Sequence, residues 1–248
     1  MKISVITVSY NSAATIGDTL ASVRGQDYPS VEHIVVDGAS KDETLRVAAQ
    51  YPHVYQILSE PDRGIYDAMN KGLRLATGSI VGFLNSDDFY THPGVLSNIA
   101  TAMNLSGADT CYADLQYVRR TNHAQVVRTW KSGLYAQDKF YWGWMPPHPT
   151  FFVRREAYEK FGGFDTSLRS AADYELMLRF LLKQGLTTCY LPEIIVRMRS
   201  GGLSNASLYN RLLANREDRQ AWRLNNIKPR FYTLYLKPAS KIMQFLSR

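Results

Sequence analysis

The 248-residue chain predicts an α/β fold built on a mostly parallel sheet flanked by helices, and three observations carry that expectation. Short apolar segments rich in β-branched residues alternate with segments whose apolar positions recur every three or four residues, the order of a strand–helix repeat. Asp37, Asp62 and the run Asn85-Ser86-Asp87-Asp88 fall at the ends of successive strand-like segments, the edge at which open α/β sheets bind ligands. The basic residues are segregated: residues 197–248 hold 11 Lys and Arg against 2 Asp and Glu, whereas residues 1–196 hold 18 against 20.

In chain order, residues 3–10 alternate and are β-branched, which predicts a first strand. Asn11-Ser12 predicts the cap of a helix with Ile16, Leu20 and Val23 on one stripe. Residues 33–37 read as a second strand, and Ser40-Lys41-Asp42-Glu43 matches a capping box opening a helix to Ala49. Residues 55–59 predict a third strand, and a helix follows Gly64 to about Ala76. The apolar run Ile80-Val81-Gly82-Phe83-Leu84 then ends abruptly in Asn85, Ser86 and two adjacent carboxylates. That arrangement is costly unless water or a cation meets it, and a hard metal ion suits it.

Further on, a helix is expected over residues 93–106, a hairpin or a mixed-sheet extension from the alternating residues 112–118 and 125–130, a strand over 150–154 and a short helix over 156–161. Between Lys131 and Pro149 the pattern breaks down. Prolines flank His148 there, and Trp142 and Trp144 suit either stacking on sugar rings or packing in the core. Residues 170–181 predict a helix with Asp173 on the apolar stripe of Leu176, Met177 and Phe180. A capping box with Ser170 and an inward-facing catalytic base are the two readings of Asp173. Residues 188–197 predict a last strand, before a loop holding Arg199, Gly201 and Gly202. Two terminal helices over 207–225 and 231–246 follow.

Cys111 and Cys189 lie in strand-like contexts with neither CxxC spacing nor a His cluster. They read as reduced core thiols, not a disulfide or zinc site. The start lacks the features of a signal peptide, and no run of about eighteen apolar residues predicts a membrane span. The tail mixes cations with Trp222, Phe231, Tyr232, Tyr235 and Phe245, which predicts docking on an anionic membrane surface, with a helical homodimerisation element as the alternative. Because residues 1–196 are not basic, no nucleic-acid partner is expected, and the expected location is cytoplasmic, peripheral on the inner face of the cell membrane.

The segments Thr7-Val8-Ser9-Tyr10-Asn11, Val36-Asp37-Gly38-Ala39-Ser40-Lys41-Asp42, Asp62-Arg63-Gly64-Ile65-Tyr66-Asp67-Ala68-Met69-Asn70-Lys71-Gly72, Leu84-Asn85-Ser86-Asp87-Asp88 and Gly163-Phe164-Asp165 occur in this order. The ordered set resembles a family 2 inverting glycosyltransferase of GT-A fold over roughly residues 1–204, and within it the bacterial colanic-acid and surface-polysaccharide subgroup. The resemblance implies a GT-A domain over 1–204, with a nucleotide-sugar half over 1–90 and an acceptor half over 91–204, followed by the basic amphipathic tail over 205–248. It implies sugar transfer, with inversion, from a nucleotide sugar, UDP-linked above all, to a lipid-linked saccharide in surface-polysaccharide assembly.

By the same resemblance, Thr7, Ser9, Tyr10, Asn11, Asp37, Asp62, Gly64, Asn70, Lys71, Asn85 and Ser86 surround the nucleotide. Asp87, with Asp88 behind it, faces Mn²⁺ or Mg²⁺, and His148 is a further candidate ligand. Asp173 is the general base. Tyr66, Trp142, Trp144, Arg197 and Arg199 are candidate acceptor or phosphate contacts. Met69 replaces an arginine common in the wider family, and two further positions depart from its pattern: Asn85 replaces the first acid of D-x-D, and Ala172 replaces the glutamate that often precedes the base. They motivate a non-catalytic nucleotide-sugar-binding or scaffolding protein as the alternative. A nucleotidyltransferase is disfavoured because no Gly-rich cationic loop follows the first strand.

Overall fold

Residues 1–201 and 208–237 are described by the computed structural model. The strand β1 (Ile3–Ser9) is buried along its whole length. It pairs in parallel with β2 (Val31–Asp37) and β4 (Ile80–Phe83), and β2 pairs in parallel with β3 (Val54–Ser59). Alternation gives β1 two apolar faces. Ile6 and Val8 pack with Met69, and Ile3 and Val5 pack with Leu96 and Ile99. The connections α1 (Ile16–Arg24), α2 (Thr44–Ala48) and α3 (Ile65–Leu75) therefore lie on a sheet covered on both sides.

After β4 the chain turns through Asn85 and re-enters the sheet as β5 (Asp88–Tyr90). The helix α4 (Val95–Ser106), the hairpin β6 (Thr110–Arg119) and β7 (Asn122–Trp130), β8 (Phe152–Arg154), α5 (Arg155–Phe161), α6 (Ala172–Met177), β9 (Thr188–Arg199) and α7 (Leu208–Leu224) complete the described elements. The sheet order is β3-β2-β1-β4-β8-β6-β9-β5, with β7 paired to β6. The mostly parallel order expected from the sequence holds for the first half, while β8, β7 and β5 pair antiparallel. Curling of the sheet brings β5, at its far edge, onto α1: Thr19 Oγ1 donates to Asp88 O at 2.7 Å, and Tyr90 N donates to Ser22 Oγ at 3.2 Å.

Three helix starts differ from expectation because the presumed cap side chains bond elsewhere. The Ser12 carbonyl accepts from Thr15 N and Ile16 N, and α1 begins at Ile16. The Ser40 hydroxyl donates to Asp37, and α2 begins only at Thr44, whose N–H bonds Asp42 Oδ1 at 3.0 Å. Ser170 and Asp173 form no capping box: Ser170 Oγ donates to Glu217 Oε2 at 2.8 Å. Beyond Met177 the helix continues as a π-helical stretch, Leu178–Lys183. In the tail, α7 is not a free amphipathic helix, since Trp222 is fully buried in the same apolar cluster as Tyr174 and Met177. Residues 233–237 form a further helical turn, and the rest of the second predicted tail helix lies outside the described residues. Both cysteines are free thiols, in register on β6 and β9.

Two features of the parallel half generate measurable consequences. A Cβ on Gly82 would lie 2.3 Å from Phe152 Cε1, inside the β4–β8 contact. Gly82→Ala should therefore cost about 1–3 kcal/mol in urea unfolding. Glu32, buried on β2, accepts from Ser4 Oγ at 2.5 Å, Thr77 N at 2.8 Å, Thr77 Oγ1 at 2.6 Å and Lys2 Nζ at 3.0 Å. Burial opposes its ionisation, but these donors outweigh burial and bring the carboxyl from 4.5 down to about 2. Because the folded value is depressed, the stabilisation is complete above about pH 4.5 and is lost as the pH falls toward 2. The unfolding free-energy gap between wild type and Glu32→Gln should be constant near neutrality and close over that acid window.

Candidate active site

The ends of β1, β2, β3 and β4 bring Tyr10, Asn11, Ser12, Gly38, Asp62, Gly64 and Asn85 to one edge of the sheet. Gly38 forms the floor between two of them: a Cβ there would sit 2.4 Å from Asp62 Oδ2 and 3.4 Å from the Tyr10 ring. Asp62 also accepts from Gly64 N at 2.8 Å, and the Tyr10 ring is 62% exposed above the crevice. Asn11 adopts φ 48°, a conformation favoured for Asn among non-glycine residues, and so exchanges hydrogen bonds with the next loop: its N–H donates to Ser40 Oγ at 2.8 Å and its Oδ1 accepts from Lys41 N at 2.9 Å. Ser86 Oγ donates to Ser12 Oγ at 2.8 Å, tying the acidic turn to the first loop. Asp37 is fully buried and accepts from Ser9 Oγ at 3.1 Å, Ser40 N at 2.8 Å and Ser59 Oγ at 2.8 Å, so its carboxylate holds the crevice walls together.

Three residues expected around the nucleotide sit apart from the crevice. The Thr7 hydroxyl is fully buried against His33 Nε2, at 3.0 Å. Asn70 bonds the Phe164 carbonyl and N–H, at 2.8 Å each, and so fixes the Gly163-Phe164 turn. Lys71 is buried between Pro61 O at 2.7 Å and Glu60 at 2.9 Å, which holds the loop that carries Asp62.

The acidic turn is built from inside. Asn85 Nδ2 donates to Asp88 Oδ2 at 3.0 Å, while Asn85 Oδ1 and Asp88 Oδ1 are buried without a hydrogen-bond partner. Burial raises the Asp88 pKa well above the carboxylate range, with Asp87 adding to the rise. Burial raises Asp87 as well, against Arg120 and Arg199, which lower it. Arg199 was expected to reach phosphates, but its side chain is 2% exposed. Its guanidinium donates to Asp87 O at 2.5 Å and His123 Nε2 at 3.0 Å and pairs with Asp18. It therefore clamps the turn from below. Arg197 is half-buried, with its Nε directed at Gln116 Oε1, 3.4 Å away.

Asp173, in the first turn of α6, lies across from this turn. Its Oδ1 accepts from Tyr66 OH at 3.2 Å and from Tyr174 N at 2.8 Å. Tyr66 stacks on Phe164, with ring centroids 5.6 Å apart. The ring of His148 stacks on Phe83 at 5.7 Å and meets Phe164 edge-on at 5.6 Å, and burial lowers its pKa while the nearby Asp173 raises it. A neutral aromatic slot thus adjoins the carboxylate. Tyr117 joins the two sides: burial raises its phenol's pKa, Arg128 lowers it, and Asp88 and Asp173 both push it up further.

The two tryptophans separate. Trp144 is packed among Tyr112, Tyr135 and Phe140 and donates Nε1–H to Ser132 O at 2.8 Å, whereas Trp142 is 51% exposed and stacks on Tyr232 at 4.9 Å. Sequence reasoning missed Glu217, which accepts from Arg169 N at 3.0 Å and Ser170 N at 2.7 Å and thereby supplies α6 with the brace its own residues lack. Only the alternation of β6 hinted at Tyr117, and nothing local marks Glu217.

Among the described residues no group of three His, Cys, Asp or Glu side chains forms a protein-only metal cage. The partnerless Asp88 oxygen and the raised carboxyls instead fit a hard divalent ion held by one or two carboxylates together with ligand phosphates, the usual binding mode of Mg²⁺.

Comparison with known proteins bears on the family and the fold. The model of the glycosyl transferase family 2 matches residues 4–162. An uncharacterized glycosyltransferase of Mycobacterium tuberculosis is 33% identical over 183 residues, covering 73% of this chain and 69% of the relative. A PGL/p-HBAD biosynthesis glycosyltransferase of the same organism is 31% identical over 208 residues, covering 82% of this chain and 78% of the relative. Among solved structures, the 1–349 fragment of S. aureus TarS in complex with UDP-GlcNAc superposes with a TM-score of 0.73 at 21% identity. This match covers 91% of the chain and 65% of TarS 1–349, so the chain spans slightly less than two thirds of that fragment. The mannosyltransferase PcManGT from Pyrobaculum calidifontis, in complex with GDP-Man and Mn²⁺, superposes with a TM-score of 0.67 at 22% identity, covering 98% of this chain and 69% of the other. At these identities the two structures establish the fold.

Glu217 generates a test of the brace. Hydrogen bonds to a charged acceptor contribute about 1.5–3 kcal/mol, so Glu217→Ala should lower the urea-unfolding free energy by about that amount and Glu217→Gln by less.

Proposed function

The chain belongs to the glycosyl transferase family 2, and from that premise we propose that it transfers a sugar, with inversion, from a UDP-sugar to a hydroxyl of a lipid-linked saccharide in bacterial surface-polysaccharide or cell-wall glycolipid assembly. The observation that carries the reading is that Asp88 of the acidic turn and Asp173 of α6 both act on Tyr117, in a fold whose sheet edge also holds the crevice floored by Gly38. The crevice suits the nucleoside. Tyr10 offers an exposed ring for the base, and Asp62 and the Asn11 loop flank the ribose.

Asp173 takes the proton from the acceptor hydroxyl as its oxygen attacks the anomeric carbon, and the bond from that carbon to the diphosphate breaks on the opposite face. Tyr66 fixes the carboxylate's orientation through its 3.2 Å hydrogen bond. The ring of His148 and the Phe83–Phe164 slot keep water from the reacting side of Asp173. Asp87, with Asp88 behind it, would hold Mn²⁺ or Mg²⁺. When bound, such an ion supplies positive charge to the departing diphosphate.

The tail supports attachment to an anionic membrane. Phe231 is 89% exposed and Tyr235 69% exposed; Phe231 meets Tyr232 edge-on, and Tyr232 stacks on Trp142 with Arg230 over its ring, an aromatic patch with a cation on its rim. No helix among the described residues is long and apolar enough to cross a membrane. The reading favoured here is therefore peripheral docking on the inner face.

A melting-temperature screen of UDP- and GDP-sugars with and without Mn²⁺ should show stabilisation by the donor. With that donor, Asp173→Asn should lower transfer at least ~10²-fold while preserving donor binding, and Asp87→Ala should weaken the Mn²⁺-dependent part of binding. Full activity in Asp173→Asn would end this mechanism. For the tail, Phe231→Ala combined with Tyr235→Ala should reduce co-sedimentation with anionic vesicles, measured against neutral vesicles and at raised salt. Unchanged vesicle binding would remove the membrane reading.

A further inference from the structure

The two cysteines of the chain, Cys111 and Cys189, take no part in the proposed transfer, yet the fold sets them side by side. They are direct partners in the parallel pairing of β6 with β9. Neighbouring strands lie about 4.8 Å apart, and the side chains of paired residues leave the sheet on the same face. Both thiols accordingly pack in one apolar cluster, with Leu96, Ile99 and Met103 of α4. A disulfide needs Cα atoms about 4.4–6.8 Å apart and side chains that point together, and directly paired positions on adjacent strands satisfy both conditions.

The two thiols differ in what they can do. Cys111 is fully buried, whereas Cys189 is half-buried and reaches solvent. A hydrogen bond from Cys111 lowers the pKa of the Cys189 thiol; burial opposes this, and Ser106 and Arg154 reinforce it. The same hydrogen bond and burial raise the pKa of Cys111. Cys189 therefore has the accessibility and thiolate character of an attacking sulfur, with a second thiol held behind it.

We propose that Cys189 and Cys111 form an oxidative modification site that closes to an intramolecular disulfide when the protein meets a hydroperoxide. With hydrogen peroxide, the Cys189 thiolate attacks one peroxide oxygen and the O–O bond breaks. Cys189 becomes a sulfenic acid, and the departing hydroxide takes up the proton that the thiol gave up, forming water. The Cys111 sulfur then attacks the Cys189 sulfur and displaces its hydroxyl group, which leaves with the Cys111 proton as a second water. The dithiol is oxidised by two electrons, and the peroxide is reduced by two. A resolving thiol on the adjoining strand diverts the sulfenic acid from further oxidation. The covalent loop so closed holds β7, β8, α5 and α6, and with them His148 and Asp173, and the bond pins the start of the strand pairing whose far end carries Arg199.

The test treats the reduced full chain with a small excess of hydrogen peroxide, stops the reaction with catalase, and blocks remaining thiols with N-ethylmaleimide in denaturant. Intact mass and a peptide map are then read. Both thiols should disappear together, with the mass lower by two hydrogens, no maleimide added and a peptide linking Cys111 to Cys189. The protein should run as a single chain without reductant, and dithiothreitol should restore both thiols. Cys111→Ser should instead leave Cys189 as a sulfenic acid that dimedone traps. In Cys189→Ser, Cys111 should react at least ~10-fold more slowly than Cys189 does in wild type. Wild type alone decides the matter where a variant fails to fold. Two maleimide adducts after a peroxide dose that oxidises glutathione in a parallel sample, a sulfinic Cys189 beside a free Cys111, or a disulfide joining two chains would each overturn the proposal.

Discussion

A buried guanidinium under the acidic turn is the constraint on which the site depends. The run from Ile80 to Phe83 is fully buried, and it delivers Asn85 and Asp87 into a turn whose next residue, Asp88, is fully buried as well. An uncompensated carboxylate in such a place is strongly disfavoured. Arg199 meets the turn at the Asp87 carbonyl while pairing with Asp18 on α1, and Thr19 of α1 bonds the Asp88 carbonyl. The backbone is therefore fixed on two sides without neutralising the carboxyl groups directly. Burial keeps the Asp87 and Asp88 carboxyls above their ordinary pKa despite Arg199, so a cation bound from outside would favour their ionised form.

The opposite wall solves a different problem. The helix α6 is short, has no side-chain cap of its own and passes into a π-helical stretch after six residues. Left alone, such a helix would present Asp173 on a loosely held first turn. The brace comes from the C-terminal segment: Glu217 holds the backbone of Arg169 and Ser170, Trp222 donates to the Tyr174 hydroxyl at 3.0 Å, and Asn225 Nδ2 bonds the Glu175 carbonyl at 3.2 Å. Arg179 adds a second anchor by joining Glu175 to the Gly162 and Gly163 carbonyls. The same segment that exposes Phe231 and Tyr235 thus also supports Asp173. Under the proposed function, membrane docking and acceptor chemistry share one mechanical element.

What was legible in the sequence follows from which residues act locally. The strands β1, β2 and β4 are buried on both faces and announce themselves as apolar runs, and the acids at their ends mark the sheet edge without reference to anything distant. Helix starts were less legible. Ser12, Ser40 and Ser170 are good caps by propensity, yet each bonds a partner from elsewhere in the chain or in its own loop, and tertiary contacts displaced the local preference. The cations were least legible. Lys71 reads as a nucleotide contact and Arg199 as an acceptor or phosphate contact, but one is buried on Glu60 and Pro61 and the other under Asp87. Glu217 contacts residues 47 and 48 positions earlier, and no periodicity encodes that.

These displaced cations bear on the electrostatics of the whole site. With Lys71 and Arg199 engaged structurally, two cations fewer are left for the nucleotide diphosphate of the proposed function, while Asp62, Asp87 and Asp88 all lie along the crevice edge. A bound polyanion must therefore draw its counter-charge from a divalent ion or from another part of the fold. Among the described residues the β6–β7 hairpin is rich in arginine, free of carboxylates from Gln116 to Lys131, and joined to the acidic turn through His123 and Arg199.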